Sequence, residues 1–461
     1  MPGTTLKGEN VNTRQINFHD LIDGSRIGKR QFLILAFCSL LMLIDGFDTQ
    51  VISFIVPVLA REWHLPKAVL GSIFSSAFFG LLIGNFGVPF VSRRIGIKKM
   101  AVIATGAFGL FTLLAAFVSN VPELIALRVL TGIGLGAATP CAVSLVSEFS
   151  PKRTRATFVT LIYIGYSLGF VFAGFFSGAL IPRFGWQSPL WLGGISALVA
   201  MLLLTPFLPE SAAYLTQRRR SVDLLTVAKR LFPSYTLPAG SEFGGHADQA
   251  NDTSVKGLFA PRLRFGTFLL WIVFAINLAA FYFLQSWLPT VLAAINFPPA
   301  LVIWATAIMI IGGMVSIFAM GPIMDRVSAY QMLAVLYVVG AIAMYGISIA
   351  ISESHWVLLA TIFLCGFCIS GGQTCAIALN ALFYPAGLRG PGVAWAYGFG
   401  RLGAAGGTYL AGVLYASNWT VASMFRVSAA PVLVAALCVA IMGWQYATSN
   451  FAHASIAQED A

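Results

Sequence analysis

Twelve long apolar stretches constrain this chain more than any other feature of its sequence. They run over residues 31–57, 69–91, 100–119, 124–147, 157–181, 188–207, 266–289, 300–322, 330–350, 356–380, 391–415 and 421–445. Each is about 20–27 residues long, and as an α-helix rising about 1.5 Å per residue it crosses a hydrocarbon layer of roughly 30 Å. Lipid offers no partner to an unpaired backbone amide or carbonyl, so stretches of this length form helices, whereas barrel strands are shorter and alternate in polarity. Composition agrees: 58% of the residues are hydrophobic and only 10% are charged, where a water-soluble domain carries about 25% charge. The chain reads as an all-α membrane protein with twelve transmembrane helices, not as a soluble enzyme or binding protein.

The net charge of +11 does not point to nucleic acid, because its distribution follows the rule that basic residues collect in cytoplasmic loops. With the N-terminus inside, 22 of the 28 Lys and Arg residues fall in cytoplasmic segments. Among them are Arg93, Arg94, Lys98 and Lys99 after the second stretch, Arg326 and Arg389 in later loops, and the run Arg218–Arg220. The opposite loops hold only Arg61, Lys67, Arg183 and Arg426. Five regions are expected: a cytoplasmic tail 1–30, a six-helix bundle 31–207, a cytoplasmic linker 208–265, a second six-helix bundle 266–445 and a cytoplasmic tail 446–461. The tail 1–30 is polar and basic and reads as no cleavable leader. Two pseudo-symmetric halves place a solute site at their interface near mid-membrane. The six cysteines lie inside apolar runs, so no disulfide framework is expected, and Cys365-x-x-Cys368 reads as structural rather than as a metal or redox pair. No nucleotide loop, metal cluster or catalytic triad is visible. The expectation is no enzyme activity, no cofactor other than the proton as coupling ion, and no nucleic-acid partner.

Of the 17 acidic residues, only Asp45 and Asp48 lie deep inside an apolar stretch; of the basic residues, Arg401 lies near mid-depth and Arg128 lies inside near one end. A charge at the bilayer centre costs about 2.5–3.5 kcal/mol on insertion scales, so such residues are functional by default. Asp45 and Asp48 are three residues apart and share one helix face. Burial and mutual repulsion both favour a proton on at least one of them, which is what proton coupling needs. A plainer reading has them pair with Arg128 or Arg401. Arg128 lies only about four residues into its stretch, from where it could snorkel to the surface. Gly132 with Gly136, and Gly403 with Gly407, form small-xxx-small pairs that let helices approach closely.

Several motifs carry a family resemblance. The loop after the second stretch keeps Arg94, Gly96 and Lys98, with Arg93 where an Asp is expected; its counterpart keeps Gly321, Asp325 and Arg326. The fourth stretch holds Arg128-x-x-x-Gly132-x-Gly134-x-Gly136, and Pro209-Glu210-Ser211 with Tyr214-Leu215 follows the sixth. Together these resemble the major facilitator superfamily. Within it, Asp45-Gly46-Phe47-Asp48 in the first stretch, Ser286-Trp287-Leu288-Pro289-Thr290, and Tyr384-Pro385 followed by Arg389, Trp395 and Gly400-Arg401 look like the aromatic acid:proton symporters, of the 4-hydroxybenzoate, protocatechuate and benzoate type.

The resemblance implies two six-helix bundles and proton-coupled uptake of a hydroxybenzoate-like carboxylate by alternating access. A monomer in the inner membrane, in contact with lipid, with both termini cytoplasmic, is implied with it. Other organic anions, or export of a metabolite or drug, are the alternatives. Asp45 and Asp48 are the expected proton-coupling residues. Arg401 is the first candidate for the substrate carboxylate, since its planar fork matches one bidentately, and Arg128 is the second. Tyr163, Tyr166, Tyr282, Trp395 and Tyr397 are candidates for the ring, with Gln285, Asn277 and Gln373 for ring hydroxyls. Arg94, Gly96, Glu148, Gly321, Asp325 and Arg326 are the expected gating residues. With Arg93 in place of the acid, Glu148 near Arg93 or Arg94 is the expected substitute latch.

Overall fold

A computed structural model describes residues 21–23, 27–218, 221–231, 255–324, 326–384 and 388–459. Among these residues there are twelve long helices. In the first half of the chain they are α1 (Lys29–Glu62), α2 (Lys67–Ile95), α3 (Ile97–Ala115), α4 (Val121–Phe149), α5 (Arg155–Phe184) and α6 (Ser188–Phe207). In the second half they are α7 (Arg264–Ala294), α8 (Pro299–Met324), α9 (Ala329–Ala350), α10 (His355–Phe383), α11 (Arg389–Ala416) and α12 (Val421–Glu459). Two short α-helices, Ala212–Gln217 and Ser221–Leu231, and a 3₁₀ turn, Val255–Phe259, lie between the halves in sequence.

Eleven of the long helices are apolar and long enough to cross a membrane. The exception is α11, expected from sequence as an apolar span. It is a full 28-residue helix, but its many glycines and Arg389 and Arg401 lower its hydropathy. Those same residues let it pack closely and carry charge, as described below.

Local chemistry sets the helix ends. Asn120 accepts from the Glu123 amide (3.0 Å) and starts α4 with Pro122 in its first turn; Ser354 does the same for α10 through Val357. Both caps satisfy an amide that the helix leaves free. Gly96 (φ +97°) ends α2 and begins α3. Only glycine takes this backbone conformation readily, and a Cβ here would also run into the Glu210 carboxylate.

The helices form two pseudo-symmetric six-helix bundles. In one, α1 packs on α5, α2 on α4, and α3 on α4 and α6; in the other, α7 packs on α11, α8 on α10, and α9 on α10 and α12. The small-xxx-small pairs lie at these contacts. Gly132 and Gly136 rest on the α2 backbone at Ala77 and Leu81, and Gly403 and Gly407 rest on α7 at Ala275 and Ala279. The bundles meet along three seams, α2 with α11, α5 with α8 and α1 with α7. The face bearing the short helices Ala212–Gln217 and Ser221–Leu231 is called the linker side below, and the opposite face the far side.

Candidate functional site

Asp45 and Asp48 lie near the middle of α1 and are each 1% exposed. Gly46 lets α1 reach the α5 backbone at Tyr166, where any side chain would overlap the Tyr166 carbonyl. This contact sets Asp45 beside the tyrosines of α5. The two acids have different surroundings. Asp48 forms an ion pair with Arg128 of α4 (3.2 Å) and accepts from Thr112 of α3 (2.6 Å). Asp45 accepts from Thr139 of α4 and, at 3.4 Å, from Thr49 one turn along its own helix. Among the described residues no basic side chain comes within ion-pair distance of Asp45.

Across the seam, α11 presents Arg401. Its Nη1 donates to the Tyr282 hydroxyl of α7 (2.9 Å), and its guanidinium carbon lies 5.9 Å from the centre of the Tyr282 ring. Its Nε is buried without a hydrogen-bond partner. Arg401 and Asp45 interact electrostatically, and Tyr163, Tyr166 and Tyr282 belong to the same cluster. Tyr397 and Gln373 adjoin it from α11 and α10. Tyr163 is 38% exposed and lies among these mid-helix groups. The structure thus brings one acid, one guanidinium with an unpaired Nε and a group of phenols together between the bundles. Such a site can hold a proton on one wall and a carboxylate on the other, with aromatic surface between.

Four candidates lie elsewhere. Arg128 does not snorkel; it is 1% exposed and committed to Asp48, inside one bundle. Trp395 stacks on Trp271 of α7 (5.9 Å) and reaches Phe86 of α2 (6.2 Å), so it packs the α2–α11 seam. The Gln285 carbonyl accepts from Gln50 of α1 (3.2 Å) in the α1–α7 seam, and the Gln285 amide is buried. Asn277 donates to the Ile369 carbonyl (3.0 Å) within its own bundle. Sequence reading missed Thr49, Thr112 and Thr139, the hydroxyls that hold the two acids. Thr49 stands beside the acid motif and could have been found by its helical spacing of four from Asp45; the other two come from α3 and α4 and left no such signal.

Beyond this space the halves touch on the far side. Lys67 donates to Asn418 (3.1 Å) and lies 5.0 Å from the Tyr415 ring centre. Phe74 packs edge-on to Trp287 (5.0 Å), and Gly71 meets Gly412 backbone to backbone.

The expected latch residues lie on the linker side. Glu148 accepts from the Ser211 hydroxyl (3.1 Å) and the Ala213 amide (2.6 Å), capping the short helix Ala212–Gln217. Arg93 and Arg94 are engaged through their carbonyls, by Arg218 (3.0 Å) and the Tyr214 hydroxyl (3.2 Å). Glu210 accepts from the Lys98 amide (2.9 Å) and the Ser211 amide (3.0 Å), so it caps α3 where a loop acid was expected to act. Gly321 lies in the last turn of α8 and Arg326 is exposed in the turn that follows; Asp325 lies outside the described residues.

Known proteins share both sequence and fold with this chain. The Major Facilitator Superfamily profile matches residues 38–298 and again 270–454. The gallate transporter of Pseudomonas putida is 34% identical over 429 residues, which is 93% of this chain and 95% of that protein. The 4-hydroxybenzoate transporter of Pseudomonas aeruginosa is 33% identical over 93% of this chain and 96% of its own length. In fold, the inward-open xylose transporter of E. coli superposes with a TM-score of 0.68 at 19% identity, covering 89% of this chain and 95% of that one. The chain is a multi-pass membrane transporter rather than an enzyme, and it belongs to the Major Facilitator Superfamily, in the family that includes these aromatic-acid transporters.

Proposed function

We propose that the protein is a proton-coupled importer of a small aromatic carboxylate of the hydroxybenzoate class. The observation that carries this reading is the placement of Asp45 on one bundle and Arg401 on the other, facing one space lined by Tyr163 and Tyr166. The names of the relatives, which transport gallate and 4-hydroxybenzoate, support the substrate class. The proton is the coupling ion, no other cofactor is required, and the working unit is a monomer. The distribution of 22 of 28 basic residues supports an inner-membrane topology in which the linker side and both termini are cytoplasmic.

The two acids divide the work. Protonating Asp48 would strand the Arg128 cation in a bundle core, which is costly. Asp45 is held only by hydroxyls, so it takes and releases a proton without stranding a partner. Arg401 receives the substrate carboxylate bidentately through donors not used by Tyr282, and the phenols and Gln373 meet the ring and its hydroxyl groups. Neutralising both buried charges lets the bundles rock about the filled site. With the far-side contacts closed, the site is reached from the linker side; their separation opens it to the periplasm. Glu148, Glu210 and Tyr214 tie the loop with Arg94 and Gly96 to its own bundle so that it moves as one body, and Gly321, Asp325 and Arg326 serve the other bundle.

The test is uptake of labelled benzoate, 4-hydroxybenzoate, protocatechuate and gallate by cells making the protein, with and without a protonophore. Accumulation that the protonophore abolishes is expected. No uptake of any of the four by correctly inserted protein would overturn the substrate class.

A further inference from the structure

The far side is sealed along α2–α11 and α1–α7, but a groove of about 580 Å³ remains where the far ends of α1, α5 and α7 meet the start of α8. Its volume falls in the range of about 300–1,000 Å³ typical of small-molecule sites. Phe54, Phe297 and Val302 give it apolar walls, and Arg61, in the last turn of α1, is its one charged lining residue among those described. Glu62 follows Arg61 but does not line the groove.

Ser177 lines the groove from α5 and is buried at 1% exposure, yet its hydroxyl has no hydrogen-bond partner. A serine in a membrane helix ordinarily satisfies itself by donating to the carbonyl one turn back, as Ser167 of the same helix does to Tyr163 (3.1 Å). A buried unpaired hydroxyl is unfavourable, and this one lies in the wall of the groove. Further along α1 and α7 lie other buried polar atoms without partners: Thr290 Oγ1, Ser53 Oγ, the Gln285 amide and Gln50 Oε1.

We propose that this groove is an outer binding site for the aromatic carboxylate, distinct from the Arg401 site. Arg61 supplies the charge that draws the anion in, Ser177 a hydrogen bond, and the apolar walls a slot for the ring. A hydrocarbon guest without a carboxylate would need neither polar group. The seam of Gln50, Ser53, Gln285 and Thr290 becomes the lining of the passage when the far-side contacts part. The proposal rests on the reading of the chain as an aromatic-acid transporter.

The test is initial-rate uptake of 4-hydroxybenzoate by the full-length protein in vesicles of both orientations, comparing wild type, Arg61→Gln and Ser177→Ala. Both positions tolerate the change, since Arg61 is exposed and Ser177 loses only an unpaired hydroxyl. When substrate arrives from the face bearing Arg61, each variant should raise KM about three- to tenfold, more than it lowers the maximal rate. Wild-type KM from that face should also climb with ionic strength, and that of Arg61→Gln should not. From the opposite face the variants should match wild type. Wild-type transport with a KM that neither substitution moves overturns the outer site alone; wild-type protein that transports no aromatic acid overturns both this site and the function beneath it. A KM that follows the anionic phospholipid content of the vesicles rather than salt assigns Arg61 to a lipid headgroup and also overturns the proposal.

Discussion

Asp45 and Asp48 stand less than one turn apart on α1, equally buried, and belong to two different regions of the molecule. Asp48 looks into one bundle, where Arg128 and Thr112 saturate it. Asp45 looks toward the space between the bundles, held by Thr139 and Thr49 and faced by Arg401 across the seam. The difference separates an acid held by an ion pair from an acid held by hydroxyls. Depth in the membrane alone does not distinguish them; the neighbours contributed by α3, α4 and α11 do.

The largest effect should come from breaking the ion pair. Arg128→Met leaves Asp48 buried and unpaired, at a cost of about 3–5 kcal/mol, read as a large fall in thermal stability of the purified protein. The double variant Arg128→Met/Asp48→Asn should recover most of that loss; if it does not, Arg128 has a further role. Next comes Arg401→Lys, which keeps the charge but loses the fork. It should cut kcat/KM for the aromatic acid by at least about tenfold, roughly 1.4 kcal/mol in transition-state binding, with normal membrane levels. A smaller effect sharpens the contrast between the acids. Thr139→Val should change the pH profile of uptake, whereas Thr112→Val should leave the profile in place and lower stability by about 1.5–3 kcal/mol, the worth of a hydrogen bond to a charged group.

The smallest effect lies at the linker-side surface. Asp23 accepts from the Lys152 amide (2.7 Å) and pairs with the Lys152 ammonium (3.2 Å). The Lys152 backbone hydrogen bond, aided by the Lys152 ammonium and opposed by partial burial, holds the Asp23 carboxyl below its ordinary value. A depressed carboxyl contributes stability that is present above its unfolded value near pH 4 and lost as pH falls through the folded one. Asp23→Asn should therefore cost no more than about 1 kcal/mol at neutral pH, and the gap between variant and wild type in thermal unfolding should close under acid.

Much of this is legible in the sequence. Length and apolarity mark the spans because the bilayer imposes both, and the glycine pairs of α4 and α11 mark close contacts that the helices do make. Charge within an apolar stretch is rare because it is expensive there, and that rarity alone singles out Asp45, Asp48, Arg128 and Arg401. Pairing is what the sequence does not assign. The partners of Asp48 come from 64 and 80 residues away, and helical periodicity says which face a residue occupies but not which helix it meets. Trp395 illustrates the limit: an aromatic residue two turns from Arg401 on the same helix suits a ring site, yet packing against Trp271 and Phe86 takes it into a seam. Glu148 illustrates it again, since its carboxylate caps the short helix Ala212–Gln217.

The central claim is that Asp45 alone carries the coupling proton, and counterflow against accumulation tests it most directly. Asp45→Asn, reconstituted at wild-type levels, should exchange labelled aromatic acid for unlabelled across the membrane but should not concentrate it when an inward proton gradient is imposed. If Asp45→Asn still concentrates the acid, and a protonophore still abolishes that accumulation, the coupling proton sits elsewhere and the division of labour between the two acids is wrong.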